Sequence, residues 1–289
     1  DDDGFTLVAV PPVPLAPSAL SATLSPAYYR TRSGRAEEAR ATAAWDSLRK
    51  SNDGVYNALK FRVAGMEPAA TAAGAPPGLH LRLGLTDYAT SAGFLRSGLA
   101  RELLDDMGED ARSILPRKLG VGALLVTGDN KLVLMQRSAA VAVSQGHMDC
   151  PGGHPEPSDA GLTHEDLELP NAERLAAVGA EVVAEITASI AKEVRDEVGI
   201  PLASQLPPHY VGTVLYTHGN YSMVFLIRTP LPEREVARLY AAGPAEAFES
   251  VRLVFLPLQQ RSSGRRTLVS TPCTEQARAA LHLARVHEV

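Results

Sequence analysis

Cysteine is nearly absent from this chain, with only Cys150 and Cys273 in 289 residues. That excludes a disulfide scaffold and makes a reducing compartment the default. No apolar run approaches the ~20 residues needed to cross a bilayer as a helix, so no membrane partner is expected. Excess positive charge is lacking too. The formal net charge is −5 and the pI near 5.9, and no basic face suited to a nucleic-acid backbone stands out. Tryptophan occurs once, and Trp45 shares one side of the Arg35–Lys50 segment with Ala41 and Leu48, which predicts a core anchor. The sequence starts at Asp1 without Met, and no signal peptide is expected within it. A cytoplasmic location is expected, or an organellar one if a presequence has been removed.

What is present is ample core material, 45% hydrophobic residues in a length that suits one large or two small domains. The most informative stretch is K-E-V-R-D-E-V-G-I, Lys192–Ile200. Val182, Ile186, Ile190, Val194 and Val198 recur every fourth residue and predict one buried helix stripe. Beside it runs a second row, Glu181, Glu185, Ser189, Glu193 and Glu197. Glu193, Asp196 and Glu197 fall within roughly a third of the helix circumference. Like charges one turn apart repel, so the cluster costs stability unless a cation fills it. Gly199 and Pro201 end the helix. A carboxylate row taken alone is most often a solvated face. Upstream, however, Val143–Pro157 is a Gly/Pro-rich loop. Glycines admit close backbone approach to a phosphate, and helix oxygens suit Mg²⁺.

Elsewhere, Leu79–Leu85 alternates as a strand with one buried face, and Ser91–Met107 is expected to be helical. Val121–Val126 and Leu132–Gln136 flank a turn as two strands, and Arg137 ends the second. His209–Tyr216 and Ser222–Ile227 form a further hairpin, followed by a helix at Arg234–Ala241, a strand at Val251–Leu256 and a helix at Glu275–Arg285. This order suggests an α+β sandwich and not repeating βαβ units.

The glycine loop and the acidic helix together resemble the Nudix hydrolase signature, G-x5-E-x7-R-E-U-x-E-E-x-G-U with U aliphatic. Seven of nine tail positions fit outright, while Lys192 and Asp196 keep the charge of the Arg and Glu they replace. The head is Gly152-Gly153-His154-Pro155-Glu156. From Gly153 to Lys192 takes 39 residues where the signature takes 14, so a 25-residue insertion splits the box. Leu24–Ala27, Lys60–Arg62, Leu83–Tyr88, Leu119–Ala123, Pro151–Pro157 and Glu249-Ser250 narrow the likeness. In order, from about residue 20 to the C-terminus, they are similar to the uridine diphosphate glucose pyrophosphatase branch of animals and plants.

The resemblance implies an α/β/α Nudix sandwich at residues 116–289, preceded by an α/β extension at 1–115 that contributes to the substrate site. It implies Mg²⁺-dependent (alternatively Mn²⁺-dependent) cleavage of UDP-glucose or UDP-galactose to UMP and a sugar 1-phosphate. Position by position, Glu193 and Glu197 match metal ligands, with Asp196 beside them and the Gly153 carbonyl as a further ligand. Tyr56, Tyr88, Arg137, Ala142, Asp149, His154 and Glu156 match substrate-contacting positions. The residue types suit those roles. Arg137 offers a planar fork for phosphate, a tyrosine can stack on uracil, and Asp149, His154 and Glu156 can bond to base edges or hydroxyls. Glu185, Glu246, Glu249 and Asp196 are all candidates for the general base. His147, His209 and His218 have no metal-ligand spacing and are read as structural. Two other readings stand beside this one. One is a Nudix hydrolase of another nucleoside diphosphate, such as an ADP-sugar or a dinucleotide. The other is a non-catalytic nucleotide-binding module, which predicts loss of the metal carboxylates, yet these are present.

Overall fold

A computed structural model describes residues 4–70, 77–139, 144–246, 248–258 and 272–288. Its strands are β1 (Phe5–Val8), β2 (Leu20–Leu24), β3 (Leu59–Ala69), β4 (Gly78–Asp87), β5 (Leu119–Val126), β6 (Lys131–Arg137), β7 (Met148–Asp149), β8 (Gly152–Gly153), β9 (His209–Tyr216), β10 (Tyr221–Arg228) and β11 (Ser250–Pro257). Its helices are α1 (Arg35–Ser51), α2 (Tyr88–Arg96), α3 (Leu99–Met107), α4 (His164–Glu168), α5 (Ala172–Ala177), α6 (Gly179–Glu193), α7 (Glu233–Ala241) and α8 (Glu275–Val286). The expected helix over Ser91–Met107 is two helices, because Gly98 adopts φ +77° between α2 and α3, a conformation open to glycine and closed to helix continuation.

Every residue of β5 is buried, and alternate residues face opposite cores. Val121, Ala123 and Leu125 join one core with the α6 stripe, while Leu124 and Val126 join another with Ala279, Ala280, Leu283 and Ala284 of α8. The larger sheet runs β1-β9-β10-β5-β6-β11, with β7 and β8 paired to β6 and β5. With α6 on one face and α8 on the other, this is the α/β/α sandwich of an α+β protein. Val182, Ile186, Ile190, Val194 and Val198 are all fully buried, as their spacing requires.

The smaller sheet, β2-β4-β3, covers the other side of α6. Leu79, Leu81, Leu83 and Leu85 of β4 point into the shared core. Buried Arg62 of β3 fastens this sheet by donating to the carbonyls of Tyr28, Arg112, Ser113 and Leu115. β1 lies in the larger sheet, antiparallel to β9, so the first strand crosses back over residue 115. Trp45 is a core anchor, packed edge-on to Tyr88 at 5.8 Å between ring centroids.

The inserted stretch is not a plain loop. Pro157–Ala160 makes a 3-10 turn, followed by α4 and α5. Ala160, Leu162 and Leu175 are buried in the core around α6. A capping box at Thr163 and Asp166 starts α4, and Asn171 caps α5, which is how such short helices are held.

Candidate active site

β5 and β6 pair only near their turn, at Leu125–Val133 and Val126–Leu132. Beyond that they diverge, and the glycine loop fills the gap, β7 pairing with β6 and β8 with β5. The loop therefore rides directly over the end of α6. There the helix widens into a π turn, Val194–Val198, before stopping at Gly199. Glu197, only 3% exposed, accepts from the Gly152 amide at 2.8 Å. Glu193 accepts from the His154 amide. A Cβ at 153 would lie 1.9 Å from Glu193 Oε1, so a larger residue there must displace that carboxylate.

Carboxylate oxygens of Glu193, Glu197 and Glu246 lie within 4.8 Å of one another. The loop carrying Glu246 is docked by its own amide, which donates to the Asp196 carbonyl at 2.8 Å. Burial first, and then Glu246, Glu249 and Asp196, raise the Glu193 pKa to about 7. Burial and Glu193 push Glu197 well above the usual carboxylate range. Burial and Glu249 raise Glu246. Oxygen ligands in this number, with burial and neighbouring carboxylates opposing the ionisation of each, fit a divalent cation of the Mg²⁺ class. From Glu185 to Glu197 the row is therefore not a solvated face, and only Glu181 at its start is exposed.

The other residues singled out in the sequence divide into groups. Asp196 turns away to Arg195, with two contacts of 2.6 Å, its carboxylate outside the group of three. The Gly153 carbonyl faces Gly120 of β5. Glu185 is buried below the cluster, accepting from the Glu156 amide at 3.1 Å and facing Lys192 at 3.3 Å. Arg137 and Asp149 pair at 3.0 Å and line a cleft of about 450 Å³ with His147, Tyr216, Thr274 and Gln276. Asp149 also accepts from Thr274 Oγ1 at 2.7 Å, and burial raises its pKa.

His154, Glu156 and Tyr88 form a second wall. Lys60 of β3 is ion-paired to Glu156, and Lys118 sits 5.3 Å from the Tyr88 ring centroid. Burial, then Lys118 and Lys60, hold His154 well below its ordinary pKa. Tyr56 is 73% exposed on the segment just before β3. Ala142 lies outside the described residues. Of the three histidines read as structural, His218 stacks on Tyr216 at 5.3 Å, His209 faces the Pro207 carbonyl and His147 lines the Arg137 cleft. Sequence reasoning gave Glu246 no metal role and gave Lys60 and Lys118 no role at all.

The sandwich, the glycine loop across a split pair of strands and the acidic helix end define a hydrolase of the Nudix class. No protein-family model matches the chain, as a box interrupted by 25 residues would lead one to expect. Curated relatives do match. The bovine uridine diphosphate glucose pyrophosphatase NUDT22 is 34% identical over 299 residues, spanning 98% of this chain and 97% of the relative. Its human counterpart is 34% identical over 254 residues, 83% of this chain and 78% of the relative. Nudix hydrolase 9 of Arabidopsis thaliana is 30% identical over 264 residues, 89% and 84% of the two chains. A solved MutT Nudix hydrolase from Burkholderia pseudomallei aligns at TM-score 0.33 and 17% identity, over 57% of this chain and 95% of that one. The chain belongs to the Nudix hydrolase family, in the branch that holds these uridine diphosphate glucose pyrophosphatases. It is an enzyme acting on phosphoric anhydrides.

Proposed function

We propose that this enzyme hydrolyses the diphosphate of a UDP-sugar, UDP-glucose or UDP-galactose, to UMP and a sugar 1-phosphate, with Mg²⁺ or Mn²⁺. The observation that carries the reading is the convergence of Glu193, Glu197 and Glu246 beneath the glycine loop. The names of the relatives support the choice of substrate.

Glu193, Glu197 and Glu246 would hold the cation. When bound it supplies neutralisation of the diphosphate's charge and a lowered pKa for water. A water oxygen bonds to one phosphorus as the bridging P–O bond breaks. The water's proton goes to a carboxylate of the same cluster, and the departing phosphate keeps the electron pair. Glu249 stands close enough to raise Glu193 and Glu246 and is a candidate for that base, whereas Glu185 is engaged by Lys192 and the Glu156 amide. Arg137 and Asp149 line the cleft on one side of the loop and suit the nucleotide. His154, Glu156 and Tyr88 line the other side, so the extension would complete the substrate site. Positioning and charge stabilisation provide most of the rate.

The test is release of UMP from UDP-glucose with Mg²⁺, set against Glu197→Gln and against ADP-ribose as a rival substrate. We expect UDP-glucose turnover that Glu197→Gln lowers by about 100-fold or more. Turnover of ADP-ribose alone would shift the substrate class, and binding without turnover of either would remove the enzymatic assignment.

A further inference from the structure

Beyond His154 from the carboxylates, two lysines share one acid, Glu156. Lys60 is 6% exposed and ion-paired to Glu156. Lys118 stands between the end of the extension and β5, with no ion-pair partner among the described residues. Its ammonium is steered by the Tyr88 ring at 5.3 Å. His154 and His218 are neighbours of Lys118. Burial, and then Lys118, lower the pKa of both. Burial and Lys60 in turn bring Lys118 down to about 8. One carboxylate therefore answers two lysines. Burying an unanswered cation is costly unless an anion joins it.

His154 fixes where that anion would sit. Its amide donates to Glu193, while its ring is near enough to Lys118 and Lys60 to feel both charges. The acidic and basic walls are thus joined through one residue. Tyr88 and Lys60 come from the extension and His154 from the glycine loop, so this wall exists only when the two are docked.

We propose that Lys118, oriented by Tyr88 and backed by Lys60, binds a phosphoryl oxygen of the substrate's diphosphate on the side away from the carboxylates. The proposal rests on the diphosphate reading given above. An ammonium is a compact point donor, and a charge-assisted contact to phosphate is among the stronger hydrogen bonds. Lys118 acts on the anion common to all nucleoside diphosphates, so it contributes affinity and orientation and leaves base choice to the Arg137 cleft.

The experiment is calorimetric titration of the full chain, in chelator at neutral pH and low salt, with inorganic diphosphate and separately with UMP. Lys118→Met is compared with Lys118→Arg and with Lys50→Met, an exposed lysine at the end of α1. Diphosphate affinity is expected to fall about tenfold or more in Lys118→Met, to stay within about threefold in Lys118→Arg, and to be unchanged in Lys50→Met. Lys118→Gln carries the comparison if Lys118→Met does not fold. Equal diphosphate affinity in native protein and the neutral variant overturns the proposal, as does absence of diphosphate binding by native protein. Lys118-dependent diphosphate binding in a protein that cleaves no UDP-sugar would leave the anion site standing and remove only the substrate assignment.

Discussion

In the absence of a cation, Glu193 should destabilise the folded protein, and removing its charge should strengthen the fold. Its pKa is about 7 in the folded state against an ordinary 4.5. An acid whose folded pKa is raised binds more protons folded than unfolded. Its charge therefore penalises the fold as pH climbs past 4.5, and the penalty is complete above about 7. At about 1.4 kcal/mol for each tenfold change in proton affinity, the full penalty is roughly 3 kcal/mol. Glu193→Gln removes it but leaves a carboxamide N–H in a site built of acceptors and one backbone donor. A net gain of about 1 to 3 kcal/mol at about pH 8 follows, falling below about 1 kcal/mol near pH 5.

In a chain of this size that gain corresponds to roughly 2–6 °C in Tm. Thermal or urea unfolding in chelator at about pH 5 and about pH 8 measures it directly. Mg²⁺ should then reverse the order. Native protein gains stability by binding in the folded state, while Glu193→Gln gains little and releases no UMP. A Glu193→Gln protein less stable than native at about pH 8 in chelator, or equally shifted at both pH values, would refute the claim that these carboxylates oppose one another.

Two further substitutions separate geometry from stability. In Gly153→Ala the new methyl group would occupy the place of Glu193 Oε1. A side-chain end moves cheaply, so unfolding should change by about 1 kcal/mol or less, while UMP release falls about 100-fold through misplacement of one ligand. Trp45→Ala empties the pocket behind Tyr88; it should cost about 3–5 kcal/mol in urea unfolding and raise KM for UDP-glucose more than it lowers kcat.

The parts of this fold readable from sequence are those with a repeated local signal. The α6 stripe recurs five times at one spacing, and β4 alternates through four leucines, so burial of each follows from period alone. Glu193 and Glu197 belong to the same pattern. Glu246 does not. It reaches the cluster from the loop after α7, held by one backbone hydrogen bond to Asp196, and no spacing relates it to the box. Lys60 and Lys118 escape for the same reason, since β3 and the entry to β5 meet only through tertiary packing. The insertion carries no such repeated signal. Helices of five and six residues, α4 and α5, are too short for a period and rely on caps and three buried side chains. Asp196, which an even helix would put on the acidic face, lies in the π turn and pairs with Arg195.

The extension and the insertion are better understood as one support than as two additions. Tyr29, ahead of α1, donates to the Asp166 carbonyl at 2.6 Å, and Arg174 locks Asp166 in place at 2.8 Å. The insertion thereby wedges between the smaller sheet and α6. It also supplies Asp159, which meets Lys192 at 2.6 Å while Glu185 meets the same ammonium at 3.3 Å. A guanidinium fork favours one carboxylate held bidentately. Here two carboxylates from separate elements converge on one centre, and a point charge serves that geometry. Lysine in place of the signature's arginine is therefore matched to the split box, because the insertion that lengthens the box also brings the second carboxylate. Glu185, fixed by Lys192, holds the Glu156 amide, and Glu156 holds Lys60. The chain of contacts thus runs from the insertion through the acidic helix to the basic wall of the site.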